Sequence, residues 1–152
     1  PVVHIYNSSI RTEILLTERA NKEGMKTLKY YLPAILWILL ILFLCTLPSK
    51  DVPKVSWFGK LPVDKIVHFC LWGGTVFFLC IGYFRQNKHI SALTMAVMAL
   101  LAACYGLAIE LVQKFLTSSR SFEWDDLLAD SLGAFAGIWV FKLFRKWFIK
   151  SR

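Results

Sequence analysis

Ionisable and polar side chains recur at helical spacing in three separate stretches of this sequence. They are Asp64, Lys65 and His68, then Glu110 and Gln113, and finally Arg120, Asp126 and Asp130. Residues three or four positions apart share one face of a helix. Histidine and carboxylates transfer protons or ligate divalent cations, and lysine and arginine bind phosphate or carboxylate groups. The pattern therefore predicts a binding or catalytic site built from helices.

The helices that carry these groups are apolar enough to cross a membrane. Residues 30–49, 66–84 and 90–109 contain no Asp, Glu, Lys or Arg, and a shorter apolar centre spans 131–141. About 20 residues at 1.5 Å rise cross a hydrocarbon core of about 30 Å. The chain is 57% hydrophobic and 18% charged, against roughly 25% charged in soluble domains. We therefore predict an all-α integral membrane bundle of four transmembrane helices.

The alternating direction of four spans brings the polar groups to one side of the membrane. The start of span two, the end of span three and the start of span four all lie on that side. After Met25, nine basic residues lie on the side of the termini and six on the other. The positive-inside rule then places both termini in the cytoplasm and the polar site on the extracytoplasmic side. We attribute the net charge of +8 to these flanking residues and expect no nucleic-acid partner.

The first 24 residues differ in composition from the rest of the chain. They are mixed polar, and Met25 then opens a segment with two lysines followed by an apolar run. We predict a poorly ordered N-terminal extension over residues 1–24 and a membrane domain over residues 25–152, with Met25 as a candidate natural start.

Span four carries two aspartates and two glycines on one helical stripe. Asp126, Asp130, Gly133 and Gly137 follow one another at steps of four, three and four residues. A Gly-x-x-x-Gly pair lets another helix backbone approach closely. We therefore expect this stripe to be buried, with Gly133 and Gly137 serving helix packing.

Taken in order, these motifs resemble those of the VanZ-like family of integral membrane proteins. The resemblance covers about residues 30–145, and the family more often has asparagine where this chain has Asp130. It implies a multi-pass protein of the bacterial cytoplasmic membrane with a role in the cell envelope. The founding members are associated with resistance to teicoplanin-type glycopeptide antibiotics.

Three functions are compatible with these residues. The first is a binding site for a lipid-linked cell-wall precursor or a glycopeptide, beside membrane lipid. Its predicted residues are Lys65, His68, Glu110, Gln113, Arg120, Asp126 and Asp130. Aromatic residues are expected either to stack on a sugar of such a ligand or to lie at the membrane interface. They are Trp57, Phe58, Trp72, Phe122 and Trp124.

The second function is an intramembrane enzyme that acts on a lipid or phosphate ester, with Glu110, Asp126 and His68 as candidate catalytic groups. The sequence lacks H-E-x-x-H, G-x-S-x-G and Walker motifs, so the interpretation leans against an enzyme. No metal site or cofactor is assigned, although a divalent cation on histidine and carboxylates is an alternative. The third function is purely structural, a polar network that fixes helix packing. The oligomeric state stays open.

Overall fold

Four α-helices follow one another in the computed structural model, which describes residues 2–46, 63–116 and 123–149. They are α1 Val2–Thr46, α2 Val63–Asn87, α3 Ala92–Leu116 and α4 Trp124–Phe144, and a π-helical turn, Arg145–Ile149, continues α4. No strand occurs in these ranges. The predicted all-α class is confirmed.

Each helix contains a stretch long and apolar enough to span a membrane. The stretches are Glu13–Cys45, Val63–Asn87, Ala92–Phe115 and Trp124–Trp147. Large apolar side chains such as Leu93, Leu101, Leu132 and Trp139 are more than half exposed on the outer faces, where a bilayer would cover them. The chain is a multi-pass membrane protein, as predicted.

The first helix is longer than a bilayer requires. Its 45 residues correspond to about 68 Å at 1.5 Å per residue. The structure has one continuous helix from Val2 through the residues that the sequence analysis assigns to an N-terminal extension. Residues 11–23 supply Glu, Arg, Leu and Ala, which favour helix, and side chains from Glu13 to Lys26 are exposed. That residues 1–24 lie outside the membrane domain stays a prediction.

Glycines bring α4 into backbone contact with α2, its most extensive partner. A Cβ atom on Gly133 would collide with the carbonyl of Phe69, and one on Gly137 with the carbonyl of Gly73. The stripe that carries these glycines and the two aspartates is buried, as the spacing predicts. The helices pack closely because neither glycine has a side chain.

A short turn reverses the chain between α2 and α3. Lys88 has a φ of 61°, and its N–H donates to the carbonyl of Phe84 at 2.8 Å. A residue in the left-handed conformation therefore ends α2. The Ser91 hydroxyl then accepts the N–H of Thr94 at 3.0 Å and caps α3. The two helices are therefore antiparallel, and the start of α2 lies beside the end of α3.

Candidate functional site

Lys65 joins the start of α2 to the start of α4. Its Nζ atom makes ion pairs with Asp126 Oδ1, with Glu123 Oε2 at 2.7 Å and with Asp64 Oδ2 at 3.6 Å. The Lys65 side chain is 24% exposed, whereas that of Asp126 is 8% exposed. Lys65 therefore stands at the mouth of the polar cluster, with a buried carboxylate behind it.

A buried histidine–aspartate pair lies one helical turn deeper. His68 Nδ1 and Asp130 Oδ1 are 2.9 Å apart, and both residues are almost completely buried. The His68 ring stacks on Trp72, with ring centroids 5.6 Å apart and an interplanar angle of 3°. Trp72 is held in turn by a hydrogen bond from its Nε1 to the carbonyl of Ala102 at 2.9 Å.

The prediction that Trp72 stacks on a sugar or lies at the membrane interface is wrong. Its side chain is fully buried between helices. A buried indole needs a partner for its N–H, and Ala102 on α3 supplies one. Trp72 therefore positions His68 and has no surface left for a ligand.

Glu110 brings α3 into the cluster. Its Oε2 atom accepts the backbone N–H of Glu123 at 2.9 Å, and Glu123 is the N-cap residue of α4. In a capping box a glutamate of the same helix binds this N–H; here a neighbouring helix supplies the carboxylate. Glu110 therefore fixes where α4 begins.

Two buried carboxylate oxygens have no hydrogen-bond partner among the residues that the structure describes. They are Glu110 Oε1 and Asp130 Oδ2, and both residues are 0% exposed. Buried polar atoms in native proteins are nearly always hydrogen-bonded. Two exceptions at the same point of a membrane bundle indicate a place for a further group.

Three of these side chains converge closely enough to share an ion. One ligand atom each of His68, Glu110 and Asp130 lies within 4.8 Å of the other two, and all three residues are buried. A second group with the same spread is Asp64, His68 and Asp126. In that group Asp64 is exposed and Asp126 already pairs with Lys65. The inner group is the better candidate for holding a cation.

Acidic groups outnumber basic ones in this part of the described structure. The carboxylates are those of Asp64, Glu110, Glu123, Asp126 and Asp130, and the bases are Lys65 and His68. Charges removed from water need compensation by an opposite charge or a proton. The cluster therefore favours a cation over a bare anion at its inner end.

The remaining predicted residues fall in different places. Gln113 Nε2 donates to the carbonyl of Cys45 at 3.0 Å, one of the last carbonyls of α1 that lack a partner within the helix. Arg120 lies outside the described residues, as do the predicted aromatic residues Trp57, Phe58 and Phe122. Trp124 is 74% exposed.

Two residues of the cluster are missed by sequence reasoning. Glu123 is absent from the predicted set, yet it binds Lys65 through its side chain and Glu110 through its backbone. Gly106 leaves room for Asp130, because a Cβ atom there would lie 2.8 Å from Asp130 Oδ2. The signal for Gly106 is its position four residues before Glu110, on the same face of α3.

Comparison with known proteins identifies the family of this chain. No curated protein and no solved structure matches the chain. The family model described as VanZ/LLP1 matches residues 16–145, which is most of the chain and includes every predicted site residue. On this match the chain belongs to the VanZ/LLP1 family.

Proposed function

We propose that this protein binds a polar envelope ligand at the cluster formed by α2, α3 and α4. The ligand is the head group of a lipid-linked cell-wall precursor on the outer face of a bacterial cytoplasmic membrane. Binding alters the susceptibility of the cell to teicoplanin-type glycopeptides. Membership of the VanZ/LLP1 family supports an envelope role, and the cluster supports binding over packing alone.

The observation that carries the proposal is the pair of unpartnered oxygens, Glu110 Oε1 and Asp130 Oδ2. A network that serves packing alone gains only about 0.6 kcal/mol per interhelical hydrogen bond on average. The cost of a carboxylate at a span centre, about 2.5 to 3.5 kcal/mol, is an upper limit for Glu110 and Asp130, which lie six residues from a helix end. Retaining two buried carboxylates that do not complete their hydrogen bonds is therefore a poor way to join helices. A ligand that completes them explains their presence.

At the mouth of the cluster, a phosphate of the lipid head group would take the place of the exposed carboxylates Asp64 and Glu123 beside Lys65. Lys65 is partly exposed there and already faces Glu123 and Asp126. Arg120 precedes Glu123 by three residues, a distance of at most about 11 Å along an extended chain. Arg120 lies outside the described residues, and its role as a second cation that binds phosphate through two parallel hydrogen bonds stays a prediction.

Glu110→Gln tests this proposal in cells of a teicoplanin-susceptible strain that express the chain. The substitution keeps an oxygen that accepts the Glu123 N–H, so we expect unchanged amounts in the membrane and an unchanged midpoint of thermal unfolding. We expect the effect of the protein on teicoplanin susceptibility to be lost. Asp125→Asn, an exposed carboxylate in the first turn of α4, is the matched control and should behave as wild type.

Other outcomes favour other functions. Parallel loss of stability and of the susceptibility effect in Glu110→Gln supports the structural network. A wild-type chain that changes no glycopeptide susceptibility contradicts the proposed role in resistance.

The alternative function, an intramembrane enzyme, is favoured by one feature of the cluster. Asp130 orients the His68 ring as a carboxylate orients a general base. If the protein is such an enzyme, purified wild-type protein releases phosphate or the alcohol from a lipid phosphate ester, and the His68→Gln variant does not. Stoichiometric binding of such a lipid without turnover supports the binding protein.

A further inference from the structure

The deepest part of the cluster is a pocket of three buried donor groups. His68, Glu110 and Asp130 are 4%, 0% and 0% exposed, and they come from α2, α3 and α4 respectively. Each offers one ligand atom within 4.8 Å of the other two. From this convergence, and from the unpartnered oxygens Glu110 Oε1 and Asp130 Oδ2, we infer that the three residues bind one divalent metal ion of the zinc or manganese type.

The spread of the donor atoms is close to what such an ion requires. Zinc binds histidine nitrogen and carboxylate oxygen at about 2.0 to 2.2 Å in tetrahedral geometry, so two of its ligands are about 3.4 Å apart. The three donors lie within 4.8 Å of one another, and small side-chain rotations close the difference. One imidazole with two carboxylates is a donor set that suits zinc and manganese more than calcium or magnesium.

The charge of the pocket also favours a divalent cation. Asp130 has His68 as its hydrogen-bond partner, and Glu110 has a backbone N–H. Lys65, the nearby lysine, is already paired with Asp126 and Glu123. Two ionised carboxylates beside one imidazole need either a proton or a further positive charge, and an ion of charge +2 supplies that charge.

The surroundings of the pocket hold the donors in place. Trp72 stacks on the His68 ring, and the absence of a side chain at Gly106 makes room for the Asp130 carboxylate. Metal sites depend on such neighbours to orient their ligands. Three protein ligands leave at least one coordination position open, which water or a donor group of the proposed ligand would fill.

Cation binding is measured on the purified full-length chain in detergent, without any envelope lipid. The protein is freed of metal, dialysed against ZnCl₂ or MnCl₂, and its metal content is determined by mass spectrometry. We expect one equivalent in wild type. We expect Glu110→Gln and Asp130→Asn to weaken binding by at least about 100-fold, since loss of an outer neighbour alone costs 10- to 100-fold. Asp125→Asn should bind as wild type.

Several results overturn the inference. A wild-type protein that retains neither ion overturns it without any variant. Equal binding by Glu110→Gln, Asp130→Asn and wild type places the ion elsewhere. If both variants fail to fold, pulsed electron paramagnetic resonance of Mn²⁺ on wild type decides: coupling to a histidine nitrogen supports the site, and its absence overturns it.

The inference concerns the pocket of the proposed function, but the two fail separately. Metal bound by wild type and lost in Glu110→Gln, with no change of glycopeptide susceptibility, leaves the metal site and removes the resistance role. If the protein binds no metal but its effect on susceptibility depends on Glu110, the resistance role stands and the metal site is removed.

Discussion

At Gly106, helix propensity and close packing predict opposite effects of the same substitution. Alanine in place of glycine inside a helix is favourable by roughly 0.5 to 1 kcal/mol. The added Cβ would, however, lie 2.8 Å from Asp130 Oδ2 and 2.9 Å from Trp72 Nε1. We expect Gly106→Ala to lower stability by about 1 to 3 kcal/mol, as overpacking does, measured as a lower midpoint of thermal unfolding in detergent.

Gly24 provides the matched control for Gly106. It is also a helical glycine, and a Cβ atom there would meet nothing within 4 Å apart from its chain neighbours and the adjacent backbone of its own helix. Gly24→Ala should leave the midpoint unchanged or raise it. A Gly106→Ala protein that is as stable as Gly24→Ala would show that the donor pocket is looser than the structure indicates.

The sequence predicts the charged residues of the cluster better than the contacts between them. Lys65, His68, Glu110 and Asp130 are recognisable because ionisable groups are rare in apolar helices. The role of Glu123 depends on its backbone N–H meeting a side chain thirteen residues earlier in the chain. Side-chain spacing on one helix contains no information about such a contact.

Among the helices, the contact of α2 with α4 fixes the depth at which the cluster is assembled. A Cβ on Gly133 would collide with the backbone of Phe69, and backbone atoms cannot turn aside as a side chain does. We expect Gly133→Ala to destabilise the protein more than Gly106→Ala, by about 3 kcal/mol or more. The measurement is again the midpoint of thermal unfolding in detergent.

Leu132 lies beside Gly133 on α4 and is 55% exposed on the outer face. Leu132→Ala should change stability by no more than about 0.5 kcal/mol, as surface substitutions usually do. If Gly133→Ala were as mild as Leu132→Ala, the close approach of the two helices would not be needed for the fold.

The sequence predicts the presence of the four helices better than it predicts the residues at which they begin and end. Apolar runs predict all four spans, and the Gly133-x-x-x-Gly137 spacing predicts the buried face of α4. The start of α1 is not predicted, because residues 11–23 combine polar composition with good helix formers. Composition indicates exposure there, and exposure does not decide between helix and coil.

The described bundle of α2, α3 and α4 is polar at one end of its interior, and its outer faces carry large apolar side chains. The cluster lies at the starts of α2 and α4 and at the end of α3, and large apolar side chains face outward along the helices. The sequence predicts that these polar residues lie together, because four spans of alternating direction place the starts of α2 and α4 and the end of α3 on one side of the membrane. The side of the membrane rests on the count of flanking basic residues alone, and the proposed envelope ligand depends on it.

The most direct test of that claim is cysteine labelling in intact cells. All four native cysteines are replaced by alanine, and a single cysteine is introduced as Asp125→Cys at the cluster end or His89→Cys in the α2–α3 turn; both positions are exposed. We expect an impermeant maleimide to label Asp125→Cys in intact cells and His89→Cys only after lysis. The opposite pattern would place the cluster in the cytoplasm and contradict binding of an outer-face precursor.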